Sequence, residues 1–408
     1  MLYSVAPPKG AFYMGKKKKP HLFFIYLTIF VNLIGFGMVF PLLPFYAREF
    51  HASEALIGLL ASSFAIAQFI FSPFWGRLSD RFGRKPIISM ALLGLSLAFL
   101  VFAISNSLTW LFISRFLQGV FSAAALPTAT AYVADVTTKE DRIKGMSNLG
   151  ASLALGFIFG PAIGGILSSV NHQLPFFAAA ALAILNFVSV QLLLPESLTK
   201  RSEKLVIKEG FLNFKQMYHG LRGELGSLFI LIFLWSYGLS NNQVAVPLLG
   251  AEKLNIDASM VGLFFSAQGL VSALVQWLVV GKITNKIGEH HMAVLGLAIM
   301  AIALFLMPFS PLPAFMALAM MSLALGSALS RPTINTLISK QTHEGQGTTM
   351  GVATAFESMG RILGPLLGGI LFYQFGYHSP FTVVAVLIFL MLMYVIKRKK
   401  FLKLEVSI

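Results

Sequence analysis

The stretch GRLSDRFGRKP, residues 76–86, places five charged residues between two long apolar runs. Each run, residues 55–75 and residues 87–105, is long enough to cross a bilayer, which takes about 20 apolar residues in a helix. A charged hairpin between two spanning helices has to lie in water at one face of the membrane. We therefore expect residues 76–86 to mark one membrane face.

The composition predicts an integral membrane protein of the all-α class. The chain has 408 residues, of which 56% are apolar and only 12% are charged. Soluble domains carry about 25% charged residues. Twelve transmembrane helices are predicted, at residues 21–47, 55–75, 87–105, 108–135, 145–170, 174–194, 226–250, 259–281, 292–309, 313–339, 347–373 and 380–396.

The formal net charge of +15 is distributed along the chain as membrane topology requires. The basic residues cluster in the N-terminal tail, in the hairpin, in later loops on the same side and in the C-terminal tail, whereas the alternate loops carry only Arg48 and Lys253. The positive-inside rule then puts both termini in the cytoplasm. We expect the basic residues to contact lipid headgroups, and no nucleic-acid partner.

No cofactor or metal site is predicted. The chain has no cysteine, hence no disulfide and no thiol chemistry. It lacks a Gly-x-x-x-x-Gly-Lys-Ser/Thr phosphate loop. His290 and His291 are adjacent, which is not the helical spacing of a metal pair, and we expect them in a loop.

The second half of the chain repeats the first. GRLSDRFG at residues 76–83 returns as GKITNKIG at residues 281–288, and GPAIGG at residues 160–165 returns as GPLLGG at residues 364–369. The repeat predicts two pseudo-symmetric six-helix bundles, at residues 21–194 and 226–396, with cytoplasmic tails at residues 1–20 and 397–408. Residues 195–225 form a polar linker, with a surface helix expected near residues 211–218.

Residues of small size at four-residue steps mark helix faces that other backbones can approach closely. These predicted helix-packing positions are Gly156, Gly160, Pro161 and Gly164 in the first half and Gly360, Gly364 and Gly368 in the second. In the first span, Gly35, Gly37, Pro41 and Pro44 are expected to interrupt the helix.

These motifs resemble the major facilitator superfamily. GRLSDRFGRKP is similar to its cytoplasmic signature loop, RFLQG at residues 115–119 to its fourth-span motif, and the ladder ending in GPAIGG to the fifth-span motif of its antiporters. GFGMVFPLLPFYA resembles the first span of twelve-span drug–proton antiporters, including tetracycline exporters. The resemblance implies two bundles that rock about a central cavity. Spans one, four, seven and ten would line the cavity, and spans two, five, eight and eleven would join the halves.

The resemblance also implies a cytoplasmic gate in the hairpin. Its predicted residues are Gly76, Asp80, Arg81, Gly83, Arg84 and Asp135. Asp80 would meet the start of span eleven, and Arg84 would pair with Asp135. The alternative is an orientation signal alone, which needs only basic residues and does not explain Asp80 or Gly83.

Four ionisable residues lie inside predicted spans, where burial is costly and marks functional candidates. We hypothesise that Glu357 is the proton-coupling acid, with Arg331 or Arg361 as its switchable partner. A static ion pair between spans ten and eleven is the alternative. The resemblance implies a part in proton coupling for Arg115, whose position is also compatible with snorkelling to the outer interface.

Polar and aromatic span residues predict the substrate cavity: Asn32, Phe36, Gln118, Asn241, Asn242, Gln243 and Asn335. Each amide could instead bond a neighbouring helix. Because three consecutive amides cannot share one face, residues 241–243 are expected at an unwound or outer part of span seven. Asn32 stands where tetracycline exporters carry an acid, so their coupling scheme does not transfer directly.

The favoured function is secondary active transport, with protons exchanged for a small amphipathic organic compound or drug that is exported. The alternatives are a dedicated exporter or importer of one metabolite, such as a sugar or siderophore, and a non-transporting membrane receptor. No enzyme activity is expected. The predicted partners are a small molecule, protons and the lipid bilayer, with a monomer working in a bacterial inner membrane.

Overall fold

The computed structural model describes residues 22–198, 214–223, 225–341 and 345–397. Within these residues every regular element is a helix. The predicted N-terminal tail, residues 199–213 of the predicted linker, and residues 398–408 of the predicted C-terminal tail lie outside the described residues.

Residues 22–198 fold into seven helices that make six spans. One span, Leu108–Val136, is broken between α4 and α5. The break lies at Ala123. In a continuous helix the carbonyl oxygen of Ala123 would accept a hydrogen bond from the backbone N–H of Pro127, and a proline has no such N–H. The helices are α1 (Leu22–Glu49), α2 (Glu54–Phe82), α3 (Arg84–Ala103), α4 (Leu108–Ser122), α5 (Ala125–Val136), α6 (Lys139–Val170) and α7 (Leu174–Leu193).

The second half opens with a short helix, α8 (Phe214–Arg222), and then repeats the long helices. They are α9 (Gly226–Lys253), α10 (Ala258–Val275), α11 (Gly281–Leu306), α12 (Pro313–Lys340), α13 (Gln346–Phe375) and α14 (Ser379–Lys397). A π-helical turn, Gln276–Val280, joins α10 to α11, and a backbone kink at Gly288 within α11 separates the two spans there.

Ten described segments are long and apolar enough to cross a membrane. Helices α9 and α13, at 28 and 30 residues, are as long as these ten segments but carry more polar side chains. With them the described residues hold twelve long helical segments, which is consistent with the twelve predicted spans. Large apolar side chains cover the outside of the bundle, among them Trp277, Val170 and Leu192, which are 82%, 77% and 76% exposed. Such a surface requires lipid, and the chain is a multi-pass membrane protein.

The two halves repeat in three dimensions. Helix α1 packs on α6 in the first half, and α9 packs on α13 in the second. Gly83 and Gly288, which occupy the same place in the repeated hairpin motif, both have positive φ, at 110° and 80°. A side chain at either position would be strained, which explains why each repeat has glycine there.

Two helix pairs join the halves: α2 with α13, and α6 with α10. A Cβ atom on Gly58 of α2 would collide with the carbonyl oxygen of Pro365 and lie 3.1 Å from the Cα of Gly369. The second pair repeats this contact with Gly262, Pro161 and Gly165. Ser62 adds a hydrogen bond of 2.7 Å to the carbonyl oxygen of Ile362. The halves therefore meet backbone to backbone along both helix pairs.

The predicted glycine ladders pack within each half. A Cβ on Gly160 would lie 2.9 Å from the Cα of Gly37 in α1, and one on Gly364 would lie 2.8 Å from the backbone nitrogen of Asn241 in α9. The remaining ladder positions, Gly156, Gly164, Gly360 and Gly368, likewise face α1 or α9. Pro161 does both: a Cβ on Gly37 of α1 would lie 2.9 Å from the Cδ of its ring, and its carbonyl oxygen meets Gly262 at the junction between the halves.

The expected interruption of the first span is wrong. Helix α1 runs without a break through Pro41 and Pro44. Each proline removes one backbone hydrogen bond. The helix continues because its neighbours enclose it, with Met38 fully buried against Gly164 of α6.

We predict that Gly58→Ala weakens the junction, while Gly150→Ala does not. The added methyl collides with a carbonyl at Gly58, which costs about 1–3 kcal/mol. A Cβ on Gly150 meets nothing within 4 Å, so alanine there leaves stability unchanged or raises it by up to about 1 kcal/mol. Thermal unfolding of the purified chain in detergent measures both. Equal midpoints for the two variants would contradict the close junction.

Candidate functional site

A cavity between the halves extends from the centre of the molecule to the hairpin face, defined as the end that carries Gly83. Its inner part, about 150 Å³, is lined by six of the helices, α1, α2, α4, α6, α9 and α13. Its outer part, about 790 Å³, lies between α2, α5, α8 and α13. Gln68 and Arg361 line both parts, so the two are continuous.

The opposite face is closed. Leu43 of the first half and Val244 and Leu248 of the second belong to one buried apolar cluster. Beside this cluster, Arg48 pairs with Glu54 at 2.9 Å and reaches Glu252 of the other half at 3.5 Å. The molecule is therefore open toward the hairpin face and shut at the other.

Aromatic rings form one wall of the inner cavity. Phe36 lies 5.1 Å from Phe64 and 5.9 Å from Phe157, measured between ring centroids. Phe40 adds a tilted ring contact with Phe157 and, across the junction, an edge contact with Phe265. The wall suits flat apolar ligands, because offset and edge-on ring contacts are favourable over a range of geometries.

Arg115 is buried in the first half. Its side chain is 2% exposed, donates to Gln118 Oε1 at 2.9 Å and lies over the Phe64 ring at 4.8 Å. Its Nε has no hydrogen-bond partner among the residues that the structure describes. Snorkelling to the outer interface is thus wrong, because the guanidinium turns into the bundle and lines the inner cavity. Gln118 holds Arg115 and does not line the cavity.

Asn32 lies in the cavity wall as predicted from its place in the first span. It accepts a hydrogen bond of 3.0 Å from Ser122 on the α4 side, and both residues line the inner cavity. The polar contact joins α1 to the end of α4.

The structure brings Glu357 and Arg331 together. Arg331 Nη2 lies 3.0 Å from Glu357 Oε1, and its guanidinium also lies over the Trp235 ring at 5.2 Å. Glu357 is 16% exposed and Arg331 is 51% exposed. Arg361 makes no ion pair with the described residues. It donates weakly to Gln68 Oε1 at 3.5 Å and to Ser358 Oγ at 3.3 Å.

The three consecutive amides of span seven separate as helical geometry requires. Helix α9 is continuous through them, so the expected unwinding is wrong, whereas the alternative position in the outer half of the span holds. Gln243 lines the inner cavity. Asn241 and Asn242 are fully buried away from it, and Asn241 donates to the Pro380 carbonyl at 3.2 Å. Asn335 is half-buried and does not line either part of the cavity.

The hairpin holds a compact ion network. Arg84 is buried and pairs through Nε with Asp135 Oδ2 at 3.0 Å and through Nη1 with Asp80 Oδ1. The other predicted gate residues surround it: Arg81 is exposed, Gly76 faces Pro127, and Gly83 makes the turn.

Asp80 does not contact the start of α13 in this conformation. Cβ atoms on Gly347 and Gly351 would meet nothing within 4 Å, and both residues line the outer cavity. The open mouth keeps the hairpin and α13 apart.

Sequence reasoning missed Glu196. It lies directly after α7 and accepts hydrogen bonds from the backbone N–H of Arg84 at 2.9 Å and of Lys85 at 3.2 Å. It thereby caps the start of α3, where an anion is favourable. A signal was present, since Glu196 is an acid in the PES sequence that opens the predicted linker.

The second half carries the same ion pair with its charges exchanged. Glu289 stands where the first half has Arg84, and Lys340 stands where it has Asp135, 205 residues later in each case. Glu289 Oε1 lies 2.6 Å from Lys340 Nζ. The sequence signal was the repeat offset itself, applied to Asp135. His290 and His291 lie in α11 beside this pair, so their expected loop position is wrong.

We predict that Arg84→Gln destabilises the chain more than Lys340→Gln. The Arg84 side chain is 8% exposed, so its loss leaves two carboxylates without their partner and costs about 1–3 kcal/mol. The Lys340 side chain is 62% exposed, and such pairs contribute about 0–1 kcal/mol. Thermal unfolding in detergent gives the comparison. A larger loss of stability for Lys340→Gln than for Arg84→Gln would show that the burial of Arg84 does not strengthen its ion pairs.

Solved structures share this fold at low sequence identity. A POT family transporter in complex with 5-aminolevulinic acid superposes with a TM-score of 0.79 at 16% identity, covering 95% of this chain and 98% of the other. A bacterial homologue of the lysosomal transporter Spinster, in an inward-facing conformation, gives 0.74 at 18% identity over 94% and 97%.

Curated relatives are closer in sequence. "Multidrug resistance protein 2" of Bacillus subtilis is 34% identical over 365 residues, which is 88% of this chain and 90% of the relative. "Quinolone resistance protein NorA" of Staphylococcus aureus is 30% identical over 358 residues, or 86% and 89%. The sequence profile of the Major Facilitator Superfamily matches residues 25–240 and again residues 228–405. The chain belongs to the Major Facilitator Superfamily.

Proposed function

We propose that this chain is a proton-coupled exporter of small amphipathic organic compounds that works by alternating access. The observation that carries the proposal is the pair of Glu357 and Arg331 inside the spans, next to a cavity open to one face only. The printed names of the relatives, multidrug and quinolone resistance proteins, favour drug export. Transport without enzymatic conversion follows from this assignment.

The charge distribution supports an orientation. The hairpin face carries the basic loops, so the positive-inside rule assigns it to the cytoplasm of a bacterial inner membrane, with both termini there. The open conformation then faces inward, and substrate enters from the cytoplasm or the inner leaflet. One chain supplies every wall of the cavity, so a monomer is sufficient.

Glu357 is proposed as the proton carrier. Deprotonated, it pairs with Arg331 from the preceding helix, α12. Protonated, it loses its charge and the pair loses its attraction, which frees α12 and α13 to shift. Because α13 also forms the junction with α2, the protonation state can bias the rocking of the halves. Arg361 and Arg115 keep the cavity positively charged. This is the part in proton coupling that we propose for them.

The hairpin is proposed as a latch for the outward-facing state. When the halves close at the hairpin face, Asp80 approaches the start of α13, whose free backbone N–H groups favour an anion. Arg84 and Asp135 already hold the hairpin in shape. This extends the sequence-based hypothesis: Asp80 changes partners, whereas the Arg84–Asp135 pair persists.

We predict that Glu357→Gln abolishes proton-driven export but keeps substrate binding. The amide preserves the shape of the side chain and cannot release a proton at physiological pH. The measurement is substrate movement in proteoliposomes under an imposed pH gradient, alongside substrate exchange without a gradient. Glu140→Gln, at an exposed position on α6, is the control. Normal gradient-driven export by a well-folded Glu357→Gln variant would remove the proton role.

We predict that a cysteine pair across the mouth reports closure. Leu126 and Gly351 line the outer cavity from different halves, and the chain has no cysteine of its own. In Leu126→Cys/Gly351→Cys an added thiol oxidant forms a disulfide only when the mouth closes, because Cβ atoms must come within about 4.5 Å.

Adding Asp80→Asn to this pair should lower the rate of cross-linking and cut transport, with insertion and orientation intact. Asp141→Asn, an exposed aspartate at the same face, provides the matched control. Unchanged cross-linking in the Asp80→Asn variant would leave the hairpin as an orientation signal only.

A further inference from the structure

The charged side chains that line the inner cavity are basic. Arg115 and Arg361 line it, and no aspartate or glutamate is among the described residues that line either part of the cavity. Arg331 is neutralised by Glu357, but neither Arg115 nor Arg361 forms an ion pair with a described residue. Two guanidinium charges therefore face a largely apolar cavity, and their described hydrogen-bond partners are neutral side chains.

The burial of Arg115 makes this unusual. A buried charge is costly unless it is paired and hydrogen-bonded. Arg115 has one described side-chain acceptor, Gln118, and its Nε has none. Helix packing alone does not require this arrangement, since a glutamine would fill a similar space without the cost of desolvating a charge.

Arg361 offers unused donors from the other half. Its two hydrogen bonds, to Gln68 and Ser358, are long at 3.5 and 3.3 Å, and its side chain is exposed to the cavity. A guanidinium presents five N–H donors in a fork that matches a carboxylate. Both arginines therefore provide donor capacity that a ligand could use.

We propose that the inner cavity is a binding site for aromatic organic anions, with a carboxylate held by Arg361 and Arg115 and the ring system packed against Phe36 and Phe64. This rests on the proposed function as an exporter and names the chemical class of its substrate. Permanent cations are disfavoured, because they would face two unpaired positive charges across an apolar cavity. Neutral aromatic compounds bind through the rings alone and more weakly.

The position of the two arginines also makes the site sensitive to conformation. Arg115 lies on α4 in the first half and Arg361 on α13 in the second. Movement of one half against the other changes the distance between the guanidinium groups, so an anion bound by both loses a partner when the opposite face opens. Release then follows from geometry, whereas the proton is carried separately on Glu357.

The test is equilibrium dialysis of the full chain in detergent with three radiolabelled probes that differ only in their head group: naphthoate, naphthamide and naphthyltrimethylammonium. We expect naphthoate to bind about tenfold more tightly than naphthamide, and the cation to bind least. Arg361→Gln should weaken naphthoate binding by about tenfold and leave naphthamide binding unchanged, which also shows that the variant folds. Arg222→Gln, at an exposed position on α8, should alter neither affinity.

A second variant tests the sign of the charge. Gln68→Glu places a carboxylate beside Arg361 and should reduce the preference for naphthoate over the cation.

The proposal is overturned if naphthoate does not bind, if the cation binds as tightly as the anion, or if Arg361→Gln weakens all probes equally. Naphthoate binding without proton-driven transport would keep this site and remove the proposed function. Proton-driven export of cations alone would keep the proposed function and remove this site.

Discussion

The close contact of backbones between the two halves is the constraint on which this molecule depends. In lipid, helices satisfy their own hydrogen bonds and have no hydrophobic force to join them, so association relies on close packing. Gly58 against Pro365 and Gly262 against Pro161 provide this packing twice, in the same geometry. Because most contacts along the two helix pairs are between glycines and backbone atoms, with few side chains reaching across, the junction is compatible with the proposed rocking of the halves. The closed opposite face and the open hairpin face are one outcome of that freedom.

Much of this architecture could be predicted from the sequence, because the repeat reveals it. Equal offsets between the hairpin motifs and between the glycine ladders predicted two similar halves, and the structure confirms them. The pairing of Glu357 with Arg331 also followed from their depth in consecutive spans. These features depend on spacing along the chain, which a sequence displays directly.

Other features depend on the direction in which a side chain points, and there the sequence was insufficient. Asn241, Asn242 and Gln243 have similar chemistry, yet only Gln243 faces the cavity. Asn241 is satisfied instead by the Pro380 carbonyl, a partner more than a hundred residues away. The depth of Arg115 suggested an interfacial position, whereas its orientation buries it. Rotation about a helix axis decides such cases, and in a span that is apolar all round no periodicity reveals it.

The exchanged charges of the two hairpins affect how a duplicated chain assembles. Two similar six-helix units, inserted one after the other, could pair a hairpin from one unit with a helix end from the other. Here that error would set Arg84 against Lys340 and Glu289 against Asp135, and each combination repels. Correct pairing within each unit is attractive at both places. The inversion thus discriminates against misassembly during biogenesis, when inter-domain errors are a hazard of repeated sequences.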